Sequence, residues 1–285
     1  ILVKGKEKPI SVYLVESKKD KKVSHVSPFV GRDDDMGKIE SLYNKCNKSI
    51  KNSMTGKLMF LGVSAAAGIG KSRLVYEFLD RTIGLDMDLY SSGSCSNISS
   101  QPYNLFISLI KDSFGISILD NSNTTREKLE SGINYLNSLN PNKEVQLNEA
   151  KVFLGLLLGI KYEDERLNDK NEMMNHIRIS IRIFIECLCR KANNKNSAFI
   201  IVLEDLHWID NMSLETIEYL IQTFNIQDKR DKNSIAVPLF IATYRKEFKV
   251  SSLIELECNF KNISLNPLEK KSAFELIKVL TKDMI

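Results

Sequence analysis

One stretch constrains this chain more than any other. Lys57 to Val63 (KLMFLGV) is almost wholly apolar and is followed by Gly68, Gly70, Lys71 and Ser72; beyond these, Leu74, Val75, Phe78, Leu79 and Ile83 recur at helical spacing. An apolar run without alternation is a strand buried on both faces, as at the centre of a parallel sheet. The spacing that follows is one apolar stripe on a helix. The local order is therefore strand, glycine loop, helix. Ala198 to Leu203 (AFIIVL) and Val237 to Thr243 (VPLFIAT) are further buried-strand runs, Met87 to Cys95 reads as another strand, and Pro102 to Lys111 and Asn175 to Lys191 read as helices. Strands alternating with helices specify an α/β fold, a mostly parallel sheet with helices on both faces.

Composition bounds the rest. The 285 residues, 43% of them hydrophobic, suffice for one large α/β domain and part of a neighbour. Forty basic residues against 36 acidic leave a net charge of +4, concentrated at Lys18 to Lys22, so nothing in the charge calls for nucleic acid. No apolar run reaches the roughly 20 residues of a membrane helix. The five cysteines are scattered, and Cys187 and Cys189 fall on different faces of a helix; this argues against zinc and for a reducing, cytoplasmic setting. The chain opens at Ile1 and stops at Ile285 in mid-pattern, and is expected to be a piece of a longer one. Residues 1–15 read as the end of a preceding domain, 16–27 as a charged linker, 28–262 as the main domain and 263–285 as the start of a helical lid. Asn- and Lys-rich patches at 44–53, 121–148, 191–197 and 226–234 have the composition of surface loops.

Ala65-Ala66-Ala67-Gly68-Ile69-Gly70-Lys71-Ser72 resembles the phosphate-binding loop G-x-x-x-x-G-K-[ST] at every position except the first, where Ala65 replaces glycine. Glycines let backbone N–H groups converge on phosphate at a helix N-terminus, whose dipole favours an anion. A glycine turn that merely caps a helix would leave a similar string, but the setting between a buried strand and an amphipathic helix favours phosphate. Were positive φ required at the first position, Ala65 would cost about 1–2 kcal/mol. Ala66, Ala67, Gly68, Ile69, Gly70, Lys71, Ser72 and Arg73 are the expected nucleotide contacts.

The run Phe199 to Leu203 ends in Glu204 and Asp205, and carboxylates at the carboxyl end of a strand can hold Mg²⁺ and orient a water. Glu204 is expected to hold the metal together with Ser72, and Asp205 to act beside it. The run from Val237 ends in Thr243-Tyr244-Arg245, which by itself reads equally as a strand before a polar turn; it resembles the sensor strand of P-loop ATPases, and that resemblance implies that Arg245 watches the terminal phosphate.

Together these elements resemble the P-loop ATPases of the STAND/AAA signalling type. Phe29-Val30-Gly31-Arg32 resembles the F-V-G-R-E opening of that domain, which implies adenine contacts at Val30, Gly31 and Arg32. Glu204 to Asp210 (EDLHWID) resembles its D-D-L-H-W-x-D string, with Glu204 in place of the usual first aspartate. Leu265-Asn266-Pro267-Leu268 resembles the join to a helical lid. Val3 to Tyr13 (VKGKEKPISVY) resembles the last strand of class III nucleotide cyclase domains, and the order cyclase tail, linker, F-V-G-R is that of soluble adenylyl cyclase-like proteins. The resemblance implies ATP and Mg²⁺ as ligands, ATP/ADP exchange or slow hydrolysis, and cyclase catalytic domains in the same chain as partners. The piece would not itself make cyclic nucleotide. Two other readings stand beside this one: a degenerate scaffold for protein interaction, and the ATPase core of a STAND transcription regulator.

Overall fold

The computed structural model describes residues 28–52, 58–98, 101–225, 237–248 and 258–282. The strand expected over 1–15, the linker over 16–27 and the patch at 226–234 lie outside the described residues. Five strands, β1 (Met59–Ser64), β2 (Tyr90–Ser94), β3 (Ile200–Glu204), β4 (Leu239–Tyr244) and β5 (Asn259–Ser264), form one sheet in the order β2-β3-β4-β1-β5. All neighbouring pairs are parallel. Around it lie α1 (Asp33–Lys51), α2 (Lys71–Ile83), α3 (Asn104–Ser113), α4 (Ser122–Leu139), α5 (Glu144–Leu157), α6 (Lys170–Asn193), α7 (Asn211–Asn225) and α8 (Lys270–Lys282).

The period-two alternation of a strand explains why the apolar runs are unbroken. Met59, Leu61 and Val63 pack with Ile200, Val202, Leu239 and Ile241 against α1 and α2. Phe60 packs with Ile201, Leu203, Phe240 and Ala242 against α3 to α7. Each large side chain so buried contributes about 1.5–3 kcal/mol. Across β4, β1 and β5 the register aligns Phe240, Phe60 and Phe260, with ring centroids 5.7 and 5.8 Å apart.

The patches expected to be loops are largely helical. α1 runs on to Lys51, α4 and α5 occupy most of 121–148, and α6 extends to Asn193. In α4 the buried residues Thr125, Leu129, Ile133 and Leu136 recur three and four apart, while its asparagines and serines keep composition polar. Asn121 caps the helix by accepting the Thr124 N–H at 2.9 Å. Composition registers the solvated face and misses the stripe. β5 was not foreseen, because Ile263 is its only fully buried residue: it is an edge strand, and the boundary expected at 262 falls inside it. α8 follows where a helix was expected after Leu265–Leu268; its Phe274, Ile277 and Leu280 are exposed.

Two packing features are open to measurement. A Cβ on Gly93 would stand 2.6 Å from the backbone oxygen of Leu105, because α3 lies directly on β2. Gly93→Ala is expected to lower stability by about 1–3 kcal/mol in denaturant unfolding, as overpacking against backbone does. Cys95, Cys187 and Cys189 are free and buried. Burial pushes the thiols of Cys95 and Cys187 up to about 12 and raises that of Cys189 well above its ordinary value. At about pH 8, iodoacetamide should leave these three unmodified until the chain is unfolded.

Candidate phosphate-binding site

The link from β1 to α2 owes its shape to two glycines. Gly68 and Gly70 have φ of +76° and +101°, in the region that disfavours any side chain. Gly70 supplies no side-chain cap to α2, and the first turn of that helix holds no acidic residue. The N–H groups and the positive dipole end of a 13-residue helix are thus open to an anion. Lys71 is 8% exposed, and its Nζ donates to the carbonyls of Ala65 at 3.3 Å and Ala66 at 3.1 Å, folded over the loop itself. Ala65 is fully buried and its φ is not positive, so the strain conditional on a left-handed first position does not arise. Its methyl packs in the core on the α1/α2 face, and its N–H donates to the Tyr244 carbonyl at 3.2 Å.

At the end of β3 the backbone turns. Asp205 adopts φ +54°, a left-handed conformation that aspartate tolerates better than most residues, and its N–H donates to Thr243 Oγ1 at 3.0 Å. Asp205, His207, Trp208 and Arg245 thereby face Ala67, Gly68, Gly70, Lys71, Ser72 and Arg73 across a cleft of about 340 Å³. Glu204 does not line it. Glu204 lines a neighbouring cleft with Ser92, Ser94, Ser108, Lys111 and Asp112, and the turn at Asp205 brings the second carboxylate to the phosphate loop.

The Arg245 guanidinium lies over the Trp208 ring, 5.5 Å from its centroid. The His207 side chain is 10% exposed and, among the described residues, neither ring nitrogen has a hydrogen-bond partner; Nδ1 is 4.0 Å from Asp205 Oδ1, too far for one. Burial lowers the imidazole pKa, opposed by Asp205 and reinforced by Arg245 and Lys71.

The opening segment sits beside this cleft rather than in it. Arg32 donates to the carbonyls of Ile69 at 3.2 Å and Asn266 at 2.7 Å, tying the phosphate loop to the residues after β5. Gly31 packs against Ser272 of α8 and Leu268, and Val30 is half-buried. Val30, Gly31, Arg32, Ala66 and Ile69 do not line the phosphate cleft.

Three structural roles escaped the sequence reading: the Thr243 bond to Asp205, the Arg32 clamp, and Asp210. The carboxylate of Asp210 accepts the N–H groups of Tyr103 at 3.0 Å, Asn104 at 3.1 Å and Ser213 at 2.9 Å, and the Ser213 hydroxyl at 2.6 Å. It ends one helix entry at α3 and another at α7. The Asp-x-x-Ser spacing was a legible sign of the second cap; the first needed the fold.

A parallel sheet in this order, with a glycine loop between its inner strand and the next helix, defines a P-loop NTPase. Residues 28–230 match the family described as AAA ATPase domain, and the chain belongs to that family. No match is found among curated proteins. Membership implies nucleotide binding, usually with Mg²⁺, and the cleft fits both. The uncapped start of α2 suits phosphate, and Ser72 with Asp205 supplies the sparse oxygen ligands that Mg²⁺ takes when phosphates complete its shell. Among the described residues no group of three or more His, Cys, Asp or Glu could hold a metal without such help, and no helix is long and apolar enough to cross a membrane.

Because each cap is worth about 0.5–2 kcal/mol, Asp210→Ala should lower the thermal midpoint markedly.

Proposed function

We propose that this chain binds Mg·ATP and Mg·ADP at the phosphate loop and acts as the nucleotide-controlled regulatory module, of STAND type, of a multidomain nucleotide cyclase. The observation that carries the nucleotide reading is Lys71, a nearly buried ammonium bonded, among the described residues, to two carbonyls of its own loop, beside an uncapped helix N-terminus. Phosphate oxygens would replace those carbonyls, with the N–H groups at Gly68 to Ser72 cradling the β-phosphate. Ser72 and Asp205 would hold Mg²⁺, which when bound neutralises charge on the β and γ oxygens. Arg245 would leave Trp208 for the terminal phosphate. Val30, Gly31 and Arg32 would meet the adenine.

A switch requires two states that a ligand tells apart. The Arg32 clamp supports one here, since it joins the phosphate loop to Asn266, and Gly31 beside it touches α8. A shift of the loop on gaining or losing a γ-phosphate would be carried to the lid. The cyclase context rests on Val3 to Tyr13 followed by Phe29 to Arg32, and the cytoplasmic setting on unpaired, scattered cysteines. The placement of Glu204 outside the cleft favours a second reading, a scaffold that binds nucleotide and turns it over slowly or not at all.

Calorimetry with Mg·ATP and Mg·ADP should show saturable binding that Lys71→Ala weakens by about tenfold or more, the scale of a lost charge-assisted contact. In the intact protein the same substitution should change cyclase output. Unchanged output removes the switch, and binding without phosphate release selects the scaffold.

A further inference from the structure

The cleft contains a polar side chain with no task in the scheme above. His207 stands on the short turn after Asp205, one-tenth exposed, with both ring nitrogens unbonded. A buried polar group without a partner is destabilising unless a ligand satisfies it. Its position is not loose. The Trp208 N–H donates to the Asp205 carbonyl at 2.9 Å, the Trp208 ring lies 5.1 Å from the imidazole, and Asp205 is itself pinned by Thr243. The side chain lines the cleft together with Lys71 and Arg245, with both ring nitrogens turned away from solvent, so that a rotation of the ring brings its N–H to a ligand there.

A neutral imidazole offers one N–H donor and one acceptor. Between two cations, the ligand that suits the donor is an anionic oxygen. The loop N–H groups and the start of α2 approach a polyphosphate from one side and hold its inner part. His207, with Asp205 and Arg245, belongs to the ends of β3 and β4, and meets it from the other side.

We propose that His207 reads the terminal phosphate: its ring N–H donates to a γ-phosphate oxygen, so that it discriminates nucleoside triphosphate from diphosphate. This rests on the nucleotide reading of the cleft and adds to it the residue that separates the two states. Trp208 serves in this arrangement as the backing that orients the ring.

The test is calorimetric, on the 285-residue chain, with Mg·ADP and the Mg complex of the non-hydrolysable β,γ-imido analogue of ATP. His207→Phe keeps a flat ring and removes the donor; His207→Gln returns a donor without the ring. The ratio of triphosphate to diphosphate affinity should fall about tenfold in His207→Phe, as expected for a lost hydrogen bond to a charged group. ADP affinity should stay within about twofold of wild type, and His207→Gln should recover part of the ratio. Equal weakening of both nucleotides, or no change in either, overturns the proposal and leaves the nucleotide reading intact. Wild-type binding of ADP alone overturns it as well, and wild-type binding of neither nucleotide overturns both readings. Should His207→Phe melt below wild type, His207→Leu takes its place in the comparison.

Discussion

Everything at the site depends on the parallel register that holds β1, β3 and β4 side by side. Phe60 opposite Phe240, and Ile201 opposite Phe240, set the carboxyl ends of the three strands at one edge of the sheet. The glycine loop leaves β1 there, Asp205 leaves β3, and Arg245 leaves β4. Ligands in open α/β sheets bind outside the carboxyl ends of strands for this reason. The register is in turn enforced by burial on both faces, since a slip by one residue would exchange the side chains serving the two cores.

The cleft gathers basic side chains whose present contacts are weak. Lys71 bonds to its own loop, Arg245 rests on an aromatic face, and His207 is buried without a partner. Each contact is weaker than one to a phosphate oxygen, which is the condition for a ligand to displace it. The carboxylates are divided by the pleat, with Asp205 facing the phosphate loop and Glu204 turned to the adjoining cleft.

The same strand-end geometry explains which residues were legible and which were not. The loop from Ala65 to Ser72 was readable because three constraints coincide in few residues: a buried strand, positive φ at glycine, and a helix start. The cost of Ala65 was conditional on a positive φ, which this residue does not have, and its methyl is buried in the core. The sequence did not show which of Glu204 and Asp205 lines the phosphate cleft, because that depends on where β3 ends, and the turn at Asp205 decides it. Most of α4 was obscured by the polar composition of its patch, although its periodicity was present.

Local pattern by itself determined the α/β class, the three strands β1, β3 and β4 that carry continuous apolar runs, the phosphate loop and the acidic end of β3. These depend on chemistry within a few neighbouring residues. The tertiary structure alone decided the pairing of β5, whose six residues bury only Ile263, together with the Arg32 clamp across 234 residues to Asn266 and the bonds from the start of α3 to Asp210. It also decided which carboxylate meets the phosphate loop. Such contacts join residues far apart in the chain, so their energies depend on the closed sheet and leave no mark in local spacing.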